Sequence, residues 1–227
     1  MASWECPKCP QKLTLGDMAN LFCRSHYEGA KINHELFWRL RRAPNKSESF
    51  WKGRTMTCIV GIKDEENVLL CSDSGASDND TIVSMTTPKI WQVSENIICG
   101  YAGSGGLGQM IQFMKWPEFT GNDSMKYLRA TLAPAIIKTR EKMAGKDEEE
   151  ASLLVGINKG KPELFEIDTS DYSVFPFDYT AIGSGAAISL GSLFSTLGNS
   201  VDRAHVAVEA AIEHSPSCKG PVSTLIL

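Results

Sequence analysis

The order in which strand-like and helix-like stretches follow one another constrains this chain more than any single motif. From Thr57 the sequence runs in short apolar segments: 57–63 and 68–72 around the polar turn Asp64-Glu65-Glu66-Asn67, a hairpin by its spacing, then 82–85, 89–93 and 96–101. After Gly103-Ser104-Gly105-Gly106 the apolar positions switch to helical spacing over 107–114 and 124–143, with Asp123 as the expected N-cap and Gly145 near the end. Strand character returns at 152–157, 163–167 and 179–182. Two further helical stretches cover 186–197 and 201–214, and a last apolar strand covers 222–227. Strands and helices therefore come in blocks and do not alternate singly, which fits a doubly wound parallel sheet poorly. Two facing sheets with a helix pair outside each bury every apolar stripe, so the expected class is α+β, a four-layer αββα sandwich.

The chain has 227 residues, enough for one medium domain and a small appendage. Residues 1–55 carry ten Lys/Arg against five Asp/Glu, whereas the remainder carries thirteen against twenty-two, a basic head on an acidic body. The expected boundaries are a head at 1–43, a polar linker or leader at 44–56 and the main domain at 57–227. In the head, Cys6-x2-Cys9 and Cys23-x2-His26 have the spacing of two tetrahedral ligand pairs, and so short a segment needs a metal or a neighbour to fold. A structural Zn2+ on Cys6, Cys9, Cys23 and His26, in a zinc-knuckle-like extension, is the expectation; no cofactor is expected for catalysis. Phe37-Trp38-Arg39-Leu40-Arg41-Arg42 has the make-up of a nucleic-acid contact and equally that of an amphipathic helix packed on a protein surface. No stretch approaches the roughly eighteen apolar residues of a membrane span, and the N-terminus lacks the layout of a secretory signal. The expected location is cytoplasmic, with no membrane partner, and the scattered Cys58, Cys71, Cys99 and Cys218 read as small buried hydrophobes.

The residues of the body that carry chemistry are Thr57, Asp73 sixteen positions later, Lys89 at thirty-two and Gly103 at forty-six, with Ser184 in Tyr179-Thr-Ala-Ile-Gly-Ser184-Gly. Singly each is commonplace: a threonine opens a strand, an aspartate sits in a loop, a lysine guards an edge. Together, Thr57-Cys-Ile-Val-Gly-Ile, Cys71-Ser-Asp73-Ser-Gly-Ala-Ser77, Pro88-Lys89-Ile-Trp and Gly100-Tyr-Ala-Gly103-Ser resemble the N-terminal-nucleophile peptidases of the proteasome β-subunit and HslV family, over nearly all of residues 56–227. The resemblance implies the Ntn-hydrolase type of sandwich, with Thr57 as nucleophile, Lys89 and Asp73 as the charged pair beside it, Gly103 as oxyanion donor and Ser184 as support for the α-amine. It also implies a homo-oligomeric ring, unfolded protein substrates and an ATPase unfoldase on a separate chain, since no nucleotide loop follows Gly103-Ser-Gly-Gly. One departure stands out. The Asp and Ser that family members carry near the C-terminus fall by position at Ser215 and Cys218, and neither matches by residue type.

A threonine hydroxyl is a poor nucleophile until a base takes its proton, and a free α-amine, whose unperturbed pKa is about 7.7–8.0, serves near neutrality. That amine exists only when nothing precedes Thr57, so the uncut 227-residue chain is expected to be inactive, a zymogen. Exposure follows either from autolysis of the Met56–Thr57 bond or from initiation at Met56, whose small second residue favours trimming. The competing expectation is a catalytically silent scaffold with a zinc-bound head for nucleic acid or a partner; another Ntn amidohydrolase fits the Asp73 and Lys89 spacing less well.

Overall fold

The computed structural model describes residues 4–5, 12–13, 57–78, 81–142 and 151–227. The chain divides into two compact units, 1–52 and 53–227. In the first, β1 (Trp4–Glu5) and β2 (Lys12–Leu13) pair antiparallel. Cys6, Cys9, Cys23 and His26, on which the zinc expectation rests, lie outside the described residues, as does Gly145.

The second unit is built on the hairpin expected from 57–72. β3 (Ile59–Lys63) and β4 (Val68–Ser72) pair antiparallel, and the turn between them is tied by Asp64 Oδ1, which accepts from the N–H groups of Glu66 and Asn67 at 3.0 and 2.7 Å. Their nearly unbroken apolar sequences reflect burial on both faces. Two further strands complete one sheet. β5 (Gly75–Asp78) and β6 (Thr81–Ser84) form a separate two-stranded ribbon. β7 (Ile90–Ser94), β8 (Ile97–Gly103), β9 (Ala151–Asn158), β10 (Pro162–Asp168) and β11 (Val174–Phe177) make an antiparallel sheet in the spatial order β11-β10-β9-β8-β7. β12 (Tyr179–Ile182) and β13 (Ser223–Ile226) flank the first hairpin in the order β12-β3-β4-β13.

Side-chain alternation sorts these strands into layers. Ile59, Val68 and Leu70 of one sheet meet Ile90, Ile98, Leu154 and Leu164 of the other. The sheets approach closely where glycines face large side chains: a β-carbon on Gly61 would lie 2.8 Å from Leu164, and one on Gly156 would lie 2.9 Å from Ile98 and Val68. The opposite faces carry the helices. Over the five-stranded sheet lie α1 (Gly105–Phe113), α2 (Ser124–Tyr127), a π-helical turn (Leu128–Leu132) and α3 (Ala133–Arg140), which bury Leu107, Ile111, Leu128, Leu132 and Ile136. Over the four-stranded sheet lie α4 (Ala186–Ser195) and α5 (Ser200–His214), where the small residues Ala204, Ala207 and Ala211 of α5 pack among Cys58, Val60, Leu69 and Cys71.

Asp123 caps α2 as expected, its side chain accepting from the Lys126 N–H at 2.9 Å. The stretch 124–143 is not one uniform helix. The N–H of Ala133 reaches back five residues to the carbonyl of Leu128 just before Pro134, which contributes no N–H of its own, so the widened turn falls where the regular ladder would lose a donor.

Candidate active site

Thr57 stands two residues before β3 and is 6 % exposed, and its backbone is held from the β12–α4 turn. Its carbonyl accepts from the Gly185 N–H at 3.2 Å and the Ser184 hydroxyl at 3.3 Å, and its own N–H donates to Ser184 Oγ at 3.4 Å. Glycine at 183 is a requirement of this approach. Its φ is +92°, and a β-carbon there would come within 2.2 Å of the Thr57 carbonyl oxygen.

Asp73 follows β4 directly and is fully buried, so its charge must be met inside the protein. Four donors meet it. Oδ1 accepts from the Cys58 N–H at 2.8 Å and from Lys89 Nζ at 2.7 Å; Oδ2 accepts from the Gly75 N–H at 2.9 Å and the Lys219 N–H at 3.2 Å. Sharing one oxygen keeps the Lys89 ammonium close to the peptide nitrogen that follows Thr57. Lys89 is itself 4 % exposed. Burial lowers its pKa from the ordinary 10.5, while the charge and hydrogen bond of Asp73 act to raise it. The result is a buried Lys89–Asp73 pair whose carboxylate backbone amides hold in place.

Gly103 closes β8 opposite Ala151 and precedes Ser104, the N-cap of α1. It lies two residues beyond Tyr101, whose N–H bonds to the Lys89 carbonyl at 3.3 Å, so β8 leads from the lysine toward the glycine. Hydrogen bonds thus join Thr57 to Ser184, and Asp73 to Lys89 and to the residue after Thr57, while Gly103 ends the adjoining strand. Ser215 and Cys218 flank the segment after α5. Ser215 Oγ accepts from the Ser217 N–H at 3.3 Å, and the Cys218 N–H donates to the Ser215 carbonyl at 3.2 Å, so Ser215 serves its own turn.

Sequence reasoning missed the backbone half of the site. Asp73-Ser-Gly75 has the Asx-turn pattern that could have revealed the Gly75 donor. The Lys219 donor has no such signal, because any residue but proline supplies the same N–H. That segment is further anchored by Ser74, whose N–H donates to the Lys219 carbonyl at 2.8 Å and whose hydroxyl donates to the Pro221 carbonyl at 2.6 Å. Among the described residues, no group of three or more His, Cys, Asp or Glu side chains is arranged to hold a metal ion, and no helix is long and apolar enough to cross a membrane.

The chain is similar to known proteins. A family model described as proteasome subunit matches residues 54–216. The proteasome subunit beta 2 of Thermococcus gammatolerans is 29% identical over 143 residues, covering 60% of this chain and 69% of the relative. The proteasome subunit beta 1 of Thermococcus sibiricus is 26% identical over 171 residues, covering 69% and 79%. Among solved structures, Thiobacillus denitrificans BPH in complex with epoxomicin superposes with a TM-score of 0.61 at 17% identity, covering 75% of this chain and 98% of that one. Eukaryotic HslV from Trypanosoma brucei superposes with a TM-score of 0.54 at 17% identity, covering 75% and 99%.

Proposed function

The chain belongs to the proteasome subunit family, and we propose that within it this protein is a threonine peptidase that hydrolyses peptide bonds of unfolded proteins once the Thr57 α-amine is exposed. The observation that carries the reading is the single Asp73 oxygen shared by the Lys89 ammonium at 2.7 Å and the Cys58 N–H at 2.8 Å, which ties the charged pair to the backbone of the nucleophile.

In the uncut chain the nitrogen of Thr57 is an amide and holds no proton-accepting lone pair. Once freed, it takes the proton of the threonine hydroxyl as the oxygen attacks the substrate carbonyl. Lys89 stabilises the developing alkoxide by its charge, and Asp73 keeps Lys89 protonated and fixed. The Gly103 N–H faces the tetrahedral oxyanion, where removing one comparable donor costs about 3 kcal/mol in other enzymes. Ser184, already bonded to the Thr57 nitrogen, holds the amine in line. The protonated amine then returns its proton to the leaving amine, and water repeats the sequence on the acyl-enzyme.

The same reading includes a homo-oligomeric ring and unfolded chains delivered by a separate ATPase, on the strength of the family. For the head it includes a structural zinc on Cys6, Cys9, Cys23 and His26, on ligand spacing, expected as one zinc per chain in elemental analysis and lost in Cys9→Ser. The central test compares fluorogenic-peptide hydrolysis by the full chain, by protein beginning at Thr57 and by the latter carrying Thr57→Ala. Activity in the second alone is expected. Equal rates in the second and third would leave the silent-scaffold reading standing instead.

A further inference from the structure

Two thiols separated by 160 positions meet beside the nucleophile. Cys58 follows Thr57 and is completely buried, Cys218 is 6 % exposed, and both belong to the apolar layer between the four-stranded sheet and α4–α5. Gly185 leaves the space that lets them meet. A β-carbon there would stand 2.8 Å from the Cys218 sulfur and 2.8 Å from the Cys58 β-carbon, so these two atoms lie no further apart than twice that distance. Cys58 Sγ also lies 2.9 Å from Ser189 Oγ.

The pair is chemically asymmetric. Its mutual hydrogen bond, with help from Ser215 and the Lys89 charge, holds the Cys218 thiol below its ordinary range, whereas the same bond and burial push Cys58 far up. Cys71 and Cys99 differ: burial pushes Cys71 up to about 11 and Cys99 well above the usual thiol range. Cys218 is the thiol suited to attack, and its oxidation removes the hydrogen-bond acceptor that chiefly holds the proton on Cys58, which frees Cys58 to resolve.

We propose that Cys58 and Cys218 form a peroxide-sensitive dithiol whose closure to a disulfide switches peptide hydrolysis off until a thiol reductant reopens it. The Cys218 thiolate attacks one peroxide oxygen; the O–O bond breaks, an S–OH bond forms, and the departing hydroxide leaves as water after taking a proton. The Cys58 sulfur then displaces that hydroxyl, forming the S–S bond and breaking the S–O bond, and the hydroxyl departs as a second water with the Cys58 proton. The two sulfurs together lose two electrons, and hydrogen peroxide gains them. The consequence for the site follows from position. The N–H groups of Cys58 and of Lys219, next to Cys218, hold opposite oxygens of Asp73. Drawing the sulfurs to about 2.05 Å shifts both supports of that carboxylate. It also removes a sulfur whose ionised form favours the charged form of Lys89.

The switching effect rests on the peptidase reading; the bridge itself does not. The full chain is reduced, desalted, exposed to hydrogen peroxide, alkylated and digested with trypsin, and protein beginning at Thr57 is assayed in parallel. Cleavage after Arg54, Lys63, Arg203 and Lys219 puts Cys58 in peptide 55–63 and Cys218 in peptide 204–219, each with one cysteine. The expected result is the linked pair as the main oxidation product, dissolved by dithiothreitol, with Cys71 and Cys99 alkylated as free thiols. Hydrolysis should fall at least tenfold on the same time course and return on reduction, and Cys218→Ser should lose the sensitivity. Separately alkylated 55–63 and 204–219 peptides after peroxide treatment overturn the dithiol. A linked pair with unchanged hydrolysis, or a Cys218→Ser protein as sensitive as its parent, overturns the switch. Protein inactive before any oxidation removes the peptidase reading and the switch with it, while peptide mapping still decides whether the bridge forms.

Discussion

Asp73 receives four hydrogen bonds on two oxygens, two of them on each, in a place water does not reach. Asparagine at this position has one accepting oxygen, so its amide turns an N–H₂ toward two donors whichever way it sits. Each unmet buried group costs about 1–3 kcal/mol, and Lys89 loses its counter-charge; breaking one member of a buried pair typically costs about 3–5 kcal/mol. Asp73→Asn is therefore expected to lower unfolding free energy in urea by about 3 kcal/mol or more, and to reduce hydrolysis by protein beginning at Thr57 at least a hundredfold. Wild-type stability would mean that the carboxylate does not hold these donors in solution. At this scale the sequence singled out Thr57, Asp73, Lys89 and Ser184 by type and interval, and hydrogen bonds join Thr57 to Ser184 and Asp73 to Lys89. The amides of Cys58, Gly75 and Lys219 were hidden because an N–H carries no residue signature, and the approach of Cys218 to Cys58 was hidden because no local pattern spans 160 positions.

Among the elements, the strand hairpins and paired helices were legible from periodicity, and the misses have local causes. β11 contains Pro176 and so reads poorly as a strand, yet it is an edge strand, where a missing N–H can face away from the ladder. β5 is Gly-Ala-Ser-Asp, a composition that favours turns. α1 offers the sharpest test of packing against propensity. A β-carbon on Gly108 would lie 1.8 Å from the Tyr101 ring, which spreads over the helix from β8. Helix propensity alone makes Gly108→Ala stabilising by about 1 kcal/mol. Overpacking of this kind costs about 1–3 kcal/mol, and the contact lies well inside any tolerated distance, so a net loss is expected. Urea unfolding gives the sign. A double-mutant cycle with Tyr101→Ala should recover most of the loss, whereas recovery of none would place the strain elsewhere.

The second unit depends on the seam between its five- and four-stranded sheets, and beside that seam stands a carboxyl group whose cost pH can reveal. Glu166, on β10, shares its face of the sheet with Leu164 and accepts from Thr180 Oγ1 of β12 at 3.4 Å. Burial raises its pKa above the ordinary 4.5, the Thr180 bond opposes the rise and the neighbouring Asp168 charge adds to it. The folded state thus holds this proton more tightly than the unfolded chain does. Below pH 4.5 both states are protonated and the group is neutral toward stability. As pH climbs from 4.5 toward the raised value the unfolded chain ionises first and stability falls, levelling off once the half-buried carboxyl ionises in the folded state as well. Glutamine keeps an acceptor for Thr180 and never ionises. Glu166→Gln is therefore expected to melt above the parent at pH 7.5 and together with it at pH 4, since every other titrating group is common to both proteins and cancels in the difference. Equal melting temperatures at both pH values, or a glutamine protein that melts lower at pH 7.5, would show that water solvates this half-buried carboxylate as well as it does in the unfolded chain.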